Sequence, residues 1–191
     1  MKLLKISIIL LPFVFFNQII QAQDSKNSTK VSYAYSTMDQ YFKFKSNTLP
    51  ETYQRTDIKS KGAIFIAFSH ILTDRISSGA TIGSTKITSS LKQNNQLVGI
   101  LNRYLYTIAI ETDFSYLKWQ NSQLYAVAAY GYSLGRDEYF TDTGETGEGF
   151  IGFMAFQVSP IAFKYGKRVS VFAELGFGYK GIINLGFRYG F

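Results

Sequence analysis

From Thr29 onward, hydrophobic and polar residues alternate with a period of two, the pattern of β-strands whose two faces meet different surroundings. The clearest run begins at Asn102. Its even positions are Tyr104, Tyr106, Ile108, Ile110, Phe114 and Tyr116, and its odd positions are Arg103, Thr107, Ala109, Glu111, Asp113 and Ser115. The greasy face is ordered: tyrosines first, isoleucines in the middle, aromatics again at the end. That order suits a strand crossing hydrocarbon with amphipathic rings at both headgroup levels.

The same test predicts strands near 29–37, 62–72, 75–89, 102–118, 123–135, 149–164, 168–178 and 182–191. The pattern is weakest in the third, which Gly79 and Gly83 dilute, and in the sixth, where Phe150 to Phe163 is apolar on both faces as a β-bulge would make it. Tight turns are expected at Thr73-Asp74, Trp119 to Ser122 and Tyr165 to Lys167. Longer polar loops are expected over Met38 to Lys61, Ser90 to Leu101 and Arg136 to Glu148, with a very short link over Gly178 to Gly181. Short turns alternating with longer loops predict an all-β, eight-stranded antiparallel up-and-down transmembrane β-barrel, with both termini and the tight turns on the inner side.

A soluble β-sandwich or lipocalin-like barrel would also alternate, but its outer face would carry many long charged side chains. Here the polar face is mostly small: Ser32, Ala34 and Ser36; Ala63, Ala67 and Ser69; Gly79, Thr81 and Gly83; Ala129, Gly131 and Ser133; Ser170, Gly176, Gly186 and Gly190. Small residues suit a narrow lumen. The charges on that face, Arg103, Glu111, Asp113, Glu174 and Arg188, are of both signs and are expected to meet inside the barrel, because buried charges persist only when paired and hydrogen-bonded.

The first residues read as an address. Met1 to Lys5 is basic, Ile6 to Ile20 is apolar, and Gln21-Ala22-Gln23 offers a small residue for cleavage, so 1–22 is read as a secretory signal peptide and 23–191 as the barrel domain. The apolar run is shorter than the roughly 20 residues a helical span needs, and Asn17 and Gln18 interrupt it. Cysteine is absent, which excludes a disulfide framework or thiolate metal site. The chain carries a formal net charge of +7, but its Lys and Arg residues are scattered rather than clustered, and Lys2 and Lys5 leave with the signal, so a nucleic-acid partner is not expected.

The last strand carries Asn184, Gly186, Tyr189 and Phe191, with Ile183, Leu185 and Phe187 on the same face as the two aromatics. This motif resembles the C-terminal signal that the barrel-assembly machinery reads. Together with Val158 to Arg168 and Val169 to Gly178, which look like a penultimate hairpin, it resembles the small outer-membrane β-barrel domain family of Gram-negative bacteria, the OmpA/OmpX-like barrels. As architecture the resemblance covers the mature chain; as sequence it runs mainly from about residue 149 to the end. It implies residence in the cell outer membrane, contact with membrane lipid and lipopolysaccharide, and handling by the assembly machinery, but no activity.

Candidate chemistry is sparse. His70 is the only histidine, and Ser69 beside it points to the opposite face of a strand, so the two cannot form a nucleophile and base. Glu111 and Asp113 share a face, but ion pairing in the lumen accounts for them without acid-base catalysis. Gly176 to Gly181 fits G-x-G-x-x-G yet joins two strands, with no helix to receive a phosphate. Asp142, Glu145 and Glu148 lack the EF-hand spacing. The expectation is a monomeric, cofactor-free, non-enzymatic barrel with a structural or surface-binding role and Met38 to Lys61 and Arg136 to Glu148 as contact loops. An outer-leaflet lipid-modifying enzyme and a small-solute pore are the alternatives.

Overall fold

A computed structural model describes residues 26–42, 44, 46 and 48–191; the expected signal peptide lies outside them. Eight strands follow one another around a closed barrel: β1 (Asn27–Tyr35), β2 (Gln54–Ile71), β3 (Ile76–Gln93), β4 (Gln96–Lys118), β5 (Ser122–Thr141), β6 (Thr146–Gly166), β7 (Val169–Gly178) and β8 (Ile183–Gly190). Every neighbouring pair is antiparallel, and β1 closes the ring on β8 with Val31 opposite Phe187 and Tyr33 opposite Leu185. One helical turn, α1 (Asp39–Phe42), lies between β1 and β2. Among the described residues no helix is long and apolar enough to cross a membrane, so any crossing falls to the strands.

The barrel is built in two storeys. In the lower one the strands are greasy outside and small or polar inside. Ile108 and Ile110 are 60% and 69% exposed, while Thr107, Ala109 and Glu111 between and beside them are buried. The exposed band continues through Val31 and Tyr33, Ile64, Ile66 and Phe68, Ile82, Tyr130 and Tyr132, Val158 and Ile161, Val171 and Leu175, and Leu185 and Phe187. A soluble monomer rarely exposes apolar patches beyond a few hundred square ångströms, and this one encircles the molecule, so it faces hydrocarbon: the fold is a transmembrane barrel.

Above that band β2 to β6 continue upward while β1, β7 and β8 stop, and the clean alternation is lost: apolar residues fill the inner face as well, while Ile100, Phe140 and Phe150 stay exposed outside. Ile87, Leu91, Leu101, Leu105, Tyr139 and Ile151 now point inward and are buried, while Lys86, Arg136 and Glu148 point out. The inner face of this upper sheet is covered by the segment between β1 and β2. Phe44 stacks on Phe153 with ring centroids 3.9 Å apart, Leu49 packs against Leu91, Leu101 and Tyr139, and Tyr53 tilts over Tyr139.

The upper storey corrects three expected loops. The strands run through 90–101 and are joined by a two-residue turn, Asn94-Asn95, whose φ values of 50° and 66° are the left-handed pair that a tight hairpin requires. They also run through most of 136–148, leaving 142–145 as the turn, and β2 begins at Gln54 within the expected Met38 to Lys61 loop. In β6 the register shifts between Val158 and Ile161, around Pro160. Ile151, Ala155, Gln157 and Ser159 face inward before the shift and Ala162 after it, which is why both faces of this strand read as apolar.

Candidate functional site

The polar interior of the lower storey holds a compact set of charges. Lys30 on β1 places Nζ 2.8 Å from Glu111 Oε1 and 2.8 Å from Asp113 Oδ2, both on β4. Lys180, from the turn between β7 and β8, pairs with the other oxygen of Glu111 and lies 3.7 Å from Glu174 Oε2. Arg188 Nη1 is 3.7 Å from Asp113 Oδ2. Three cations thus face three carboxylates. Neutral donors complete the set: Asn184 Nδ2 donates to Glu174 Oε2 at 2.8 Å, Tyr125 Oη to Glu174 Oε1 at 3.3 Å, and Ser77 Oγ to Asp113 Oδ2 at 3.3 Å. Charges this deeply buried are tolerable only because each meets an opposite charge and further hydrogen bonds.

Lys180 reaches this depth because β7 and β8 are short. Their connecting turn sits level with Gln157, whose Oε1 accepts from the Lys180 backbone N–H at 2.9 Å. The turn folds inward, so that Tyr179 packs edge-on against Phe65 at 5.3 Å between ring centroids, beside Ala34, Ala63, Ala109 and Ala155. Gly178 stands at φ 143°, and a Cβ there would meet Phe156 O at 2.0 Å, so the tight turn requires glycine.

Arg103 does not join the other four expected charges. It lies in the upper storey, fully buried, forked onto Asp137 with Nε to Oδ1 and Nη2 to Oδ2 both at 2.7 Å. Its Nη1 donates to the Phe44 carbonyl at 3.1 Å, and Arg55 Nη1 donates to the same oxygen at 2.8 Å. Two guanidinium groups therefore hold the covering segment to the sheet.

Lys30, Asp137 and Lys180 were not among the expected charges. Lys30 stands two residues before Ser32 and Asp137 four beyond Ser133, so extending the inward parity by one or two steps would have found both. Lys180 lies in a turn, where alternation carries no signal.

The remaining candidates fall apart. His70 is exposed, with Nδ1 2.7 Å from Asn27 Oδ1, while Ser69 is buried with its hydroxyl 2.8 Å from Ser28 Oγ. Glu145 accepts from Tyr53 Oη at 2.7 Å and Tyr139 Oη at 3.1 Å, and Glu148 pairs with Arg136 at 3.0 Å. Among the described residues no three His, Cys, Asp or Glu side chains converge as metal ligands would.

Of the C-terminal motif, Asn184 and Gly186 face the interior and Phe191 faces outward. Tyr189 and Phe191 stack at 6.1 Å, and Phe191 exchanges backbone hydrogen bonds with Asn27 at 2.9 and 3.1 Å.

No family model and no curated protein matches the chain. Among solved structures it is similar to the attachment invasion locus protein Ail of Yersinia pestis. In complex with the heparin analogue sucrose octasulfate, that structure aligns at 9% identity and a TM-score of 0.47 over 88% of this chain and 97% of that one. A second structure of Ail aligns at 8% identity and a TM-score of 0.45 over the same shares. The chain's own topology, eight antiparallel strands in an up-and-down ring with a greasy outer belt, is that of the small OmpA/OmpX-like barrels.

Proposed function

We propose that this chain is an exported, integral outer-membrane β-barrel with a structural or surface-binding role and no catalysis, its signal peptide comprising residues 1–22 and its barrel domain 23–191. The observation that carries the reading is the apolar belt around the lower storey. A sheet closed on itself with that belt is stable only in a bilayer, and in an exported bacterial chain that bilayer is the outer membrane.

The interlocked ions between β1, β4, β7 and β8 support a filled lumen rather than a pore. Above the bilayer, the five-stranded sheet with Phe44, Leu49 and Tyr53 packed on its inner face offers a surface to partners. On the outer wall, a groove of about 310 Å³ holds Lys61 and Lys86 beside Tyr33, Tyr104 and Tyr106. Cations next to rings at the headgroup level suit the phosphates of lipopolysaccharide. Asn184, Gly186, Tyr189 and Phe191 act as the assembly signal, and the barrel works as a monomer.

The test is electrophoretic. A folded barrel extracted from membranes migrates differently before and after boiling, and it stays in the membrane pellet after a carbonate wash. Identical migration in both states, or release into the wash, overturns the reading.

A further inference from the structure

The end of the barrel that bears the termini and the short turns opens into a basin of about 830 Å³. Six cations line it: Arg75 from the β2–β3 turn, Lys118 at the end of β4, Lys164 on β6, Lys167 and Arg168 from the β6–β7 turn, and Arg188 on β8. Among the described lining residues Asp74 is the one carboxylate, and Lys118 Nζ turns to its backbone carbonyl rather than to its side chain. Arg188 is shared with the buried network through Asp113, whose charge Lys30 already meets. The basin therefore carries a strong positive excess in a concave, partly low-dielectric setting, where field lines concentrate.

The placement of these cations selects the ligand. Lys164 and Arg188 occupy inward-facing positions, so they point at the barrel axis and away from the lipid headgroups around the rim. Hydrogen-bonding side chains, Asn27, Ser77, Ser115, Asn121 and Gln123 among them, share the rest of the wall with the apolar Ile71, Ile76, Trp119 and Val169. Amide and hydroxyl groups interleaved with cations suit an extended peptide bearing carboxylates better than a lipid headgroup, which would approach from the side.

We propose that the inner mouth of the barrel binds a carboxylate-bearing peptide segment that enters along the axis from the aqueous compartment on the inner side. The proposal rests on the outer-membrane reading for its compartment, and on the basin alone for its chemistry.

The test uses the full chain in nanodiscs of zwitterionic lipid and a rhodamine-labelled peptide of alternating glutamate and glycine, with a glutamine–glycine peptide as control. Fluorescence anisotropy is expected to show saturable, salt-sensitive binding of the glutamate peptide only. Replacing Lys118, Lys164 and Lys167 together by glutamine is expected to weaken it about tenfold, while Lys59→Gln with Lys92→Gln on the outer wall leaves it unchanged. Equal binding of both peptides, or an equal loss in the outer-wall variant, overturns the proposal. So does co-purified phosphatidylglycerol that depends on Lys118, Lys164 and Lys167 in native mass spectra without peptide binding; that outcome assigns the basin to lipid.

The compartment is read separately, from Lys167→Cys and a membrane-impermeant maleimide. Labelling only after the outer membrane is opened is expected. Labelling in intact cells overturns the inner placement while leaving the binding data standing.

Discussion

Lys30 and Glu111, 81 positions apart in sequence, meet with Nζ 2.8 Å from Oε1, and through Asp113 the same ammonium ties β1 to two carboxylates of β4 across the interior. The first strand is thereby fixed to a strand three places around the ring from it by charge rather than by backbone pairing.

Removing that ammonium leaves Glu111 with Lys180 and Asp113 with the more distant Arg188. Lys30→Met, which keeps most of the side-chain volume, is expected to lower the stability of the barrel in lipid vesicles by about 3–5 kcal/mol, the usual cost of breaking a buried pair from one side. Lys86→Met, an exposed cation over the Tyr104 ring at 4.9 Å, serves as the reference and is expected to cost at most about 1 kcal/mol. Similar urea midpoints for the two variants would contradict the interior assignment.

The two-storey pattern makes a sharper test of where hydrocarbon begins. Ile110 stands in the exposed belt, and Ile110→Arg is expected to cost about 2–4 kcal/mol in a bilayer, the range for a cation on the lipid face near the midplane. Arg136 already projects outward in the upper storey, where it pairs with Glu138 and Glu148, so Arg136→Ile there is expected to change stability by no more than about 0.5 kcal/mol. Equal and small effects at both positions would mean that the belt does not face lipid.

The change between the two storeys explains how far the sequence could be read. In the lower storey, alternation from Tyr104 to Tyr116 places greasy residues outside and charges inside, and the strand, its faces and the interior position of Glu111 and Asp113 all follow from that one pattern. Above the membrane water replaces hydrocarbon outside, where Ile100, Phe140 and Phe150 remain exposed, and apolar packing joins Arg103 and Asp137 inside. Leu91 and Leu101 then occupy the inward positions that small residues hold below. A rule that assigns the greasy face to the outside fails there, so the tops of β3, β4 and β5 read as loops and Asp137 was counted in one of them. Lys180 was illegible for another reason: its depth depends on the shortness of β7 and β8 relative to β6, a relation between strands that no local window contains.

Arg103 links the upper sheet to the segment that covers it, and its loss has two separable effects. Arg103→Leu leaves Asp137 buried without its fork and frees the Phe44 carbonyl from one of two donors. Limited proteolysis over 36–53 is expected to accelerate while the barrel keeps its heat-dependent migration. The double variant Arg103→Leu with Asp137→Leu is expected to be more stable than Arg103→Leu alone, because the unpaired buried charge is gone, although the carbonyl contact stays lost. A double variant less stable than the single one would show that packing, not the ion pair, dominates there.

The covering segment has a second fastening that responds to pH. Tyr53 donates its phenol hydrogen to Glu145 Oε2 at 2.7 Å, and this bond to a carboxylate, more than any burial, raises the phenol above its ordinary value. The neutral phenol is the form that holds the contact. Its contribution is therefore complete below the ordinary phenol value and is lost as the pH rises through the raised one, where phenolate and carboxylate repel. In alkaline buffer the covering segment is expected to become protease-sensitive while the membrane-embedded storey stays intact. Glu145→Gln keeps an acceptor but removes its charge, so the ultraviolet titration of Tyr53, isolated as the difference between the chain and its Tyr53→Phe variant, is expected to move back toward the ordinary phenol value. An unchanged titration in Glu145→Gln would show that the carboxylate does not hold Tyr53 in solution, and the alkaline loosening would then need another source.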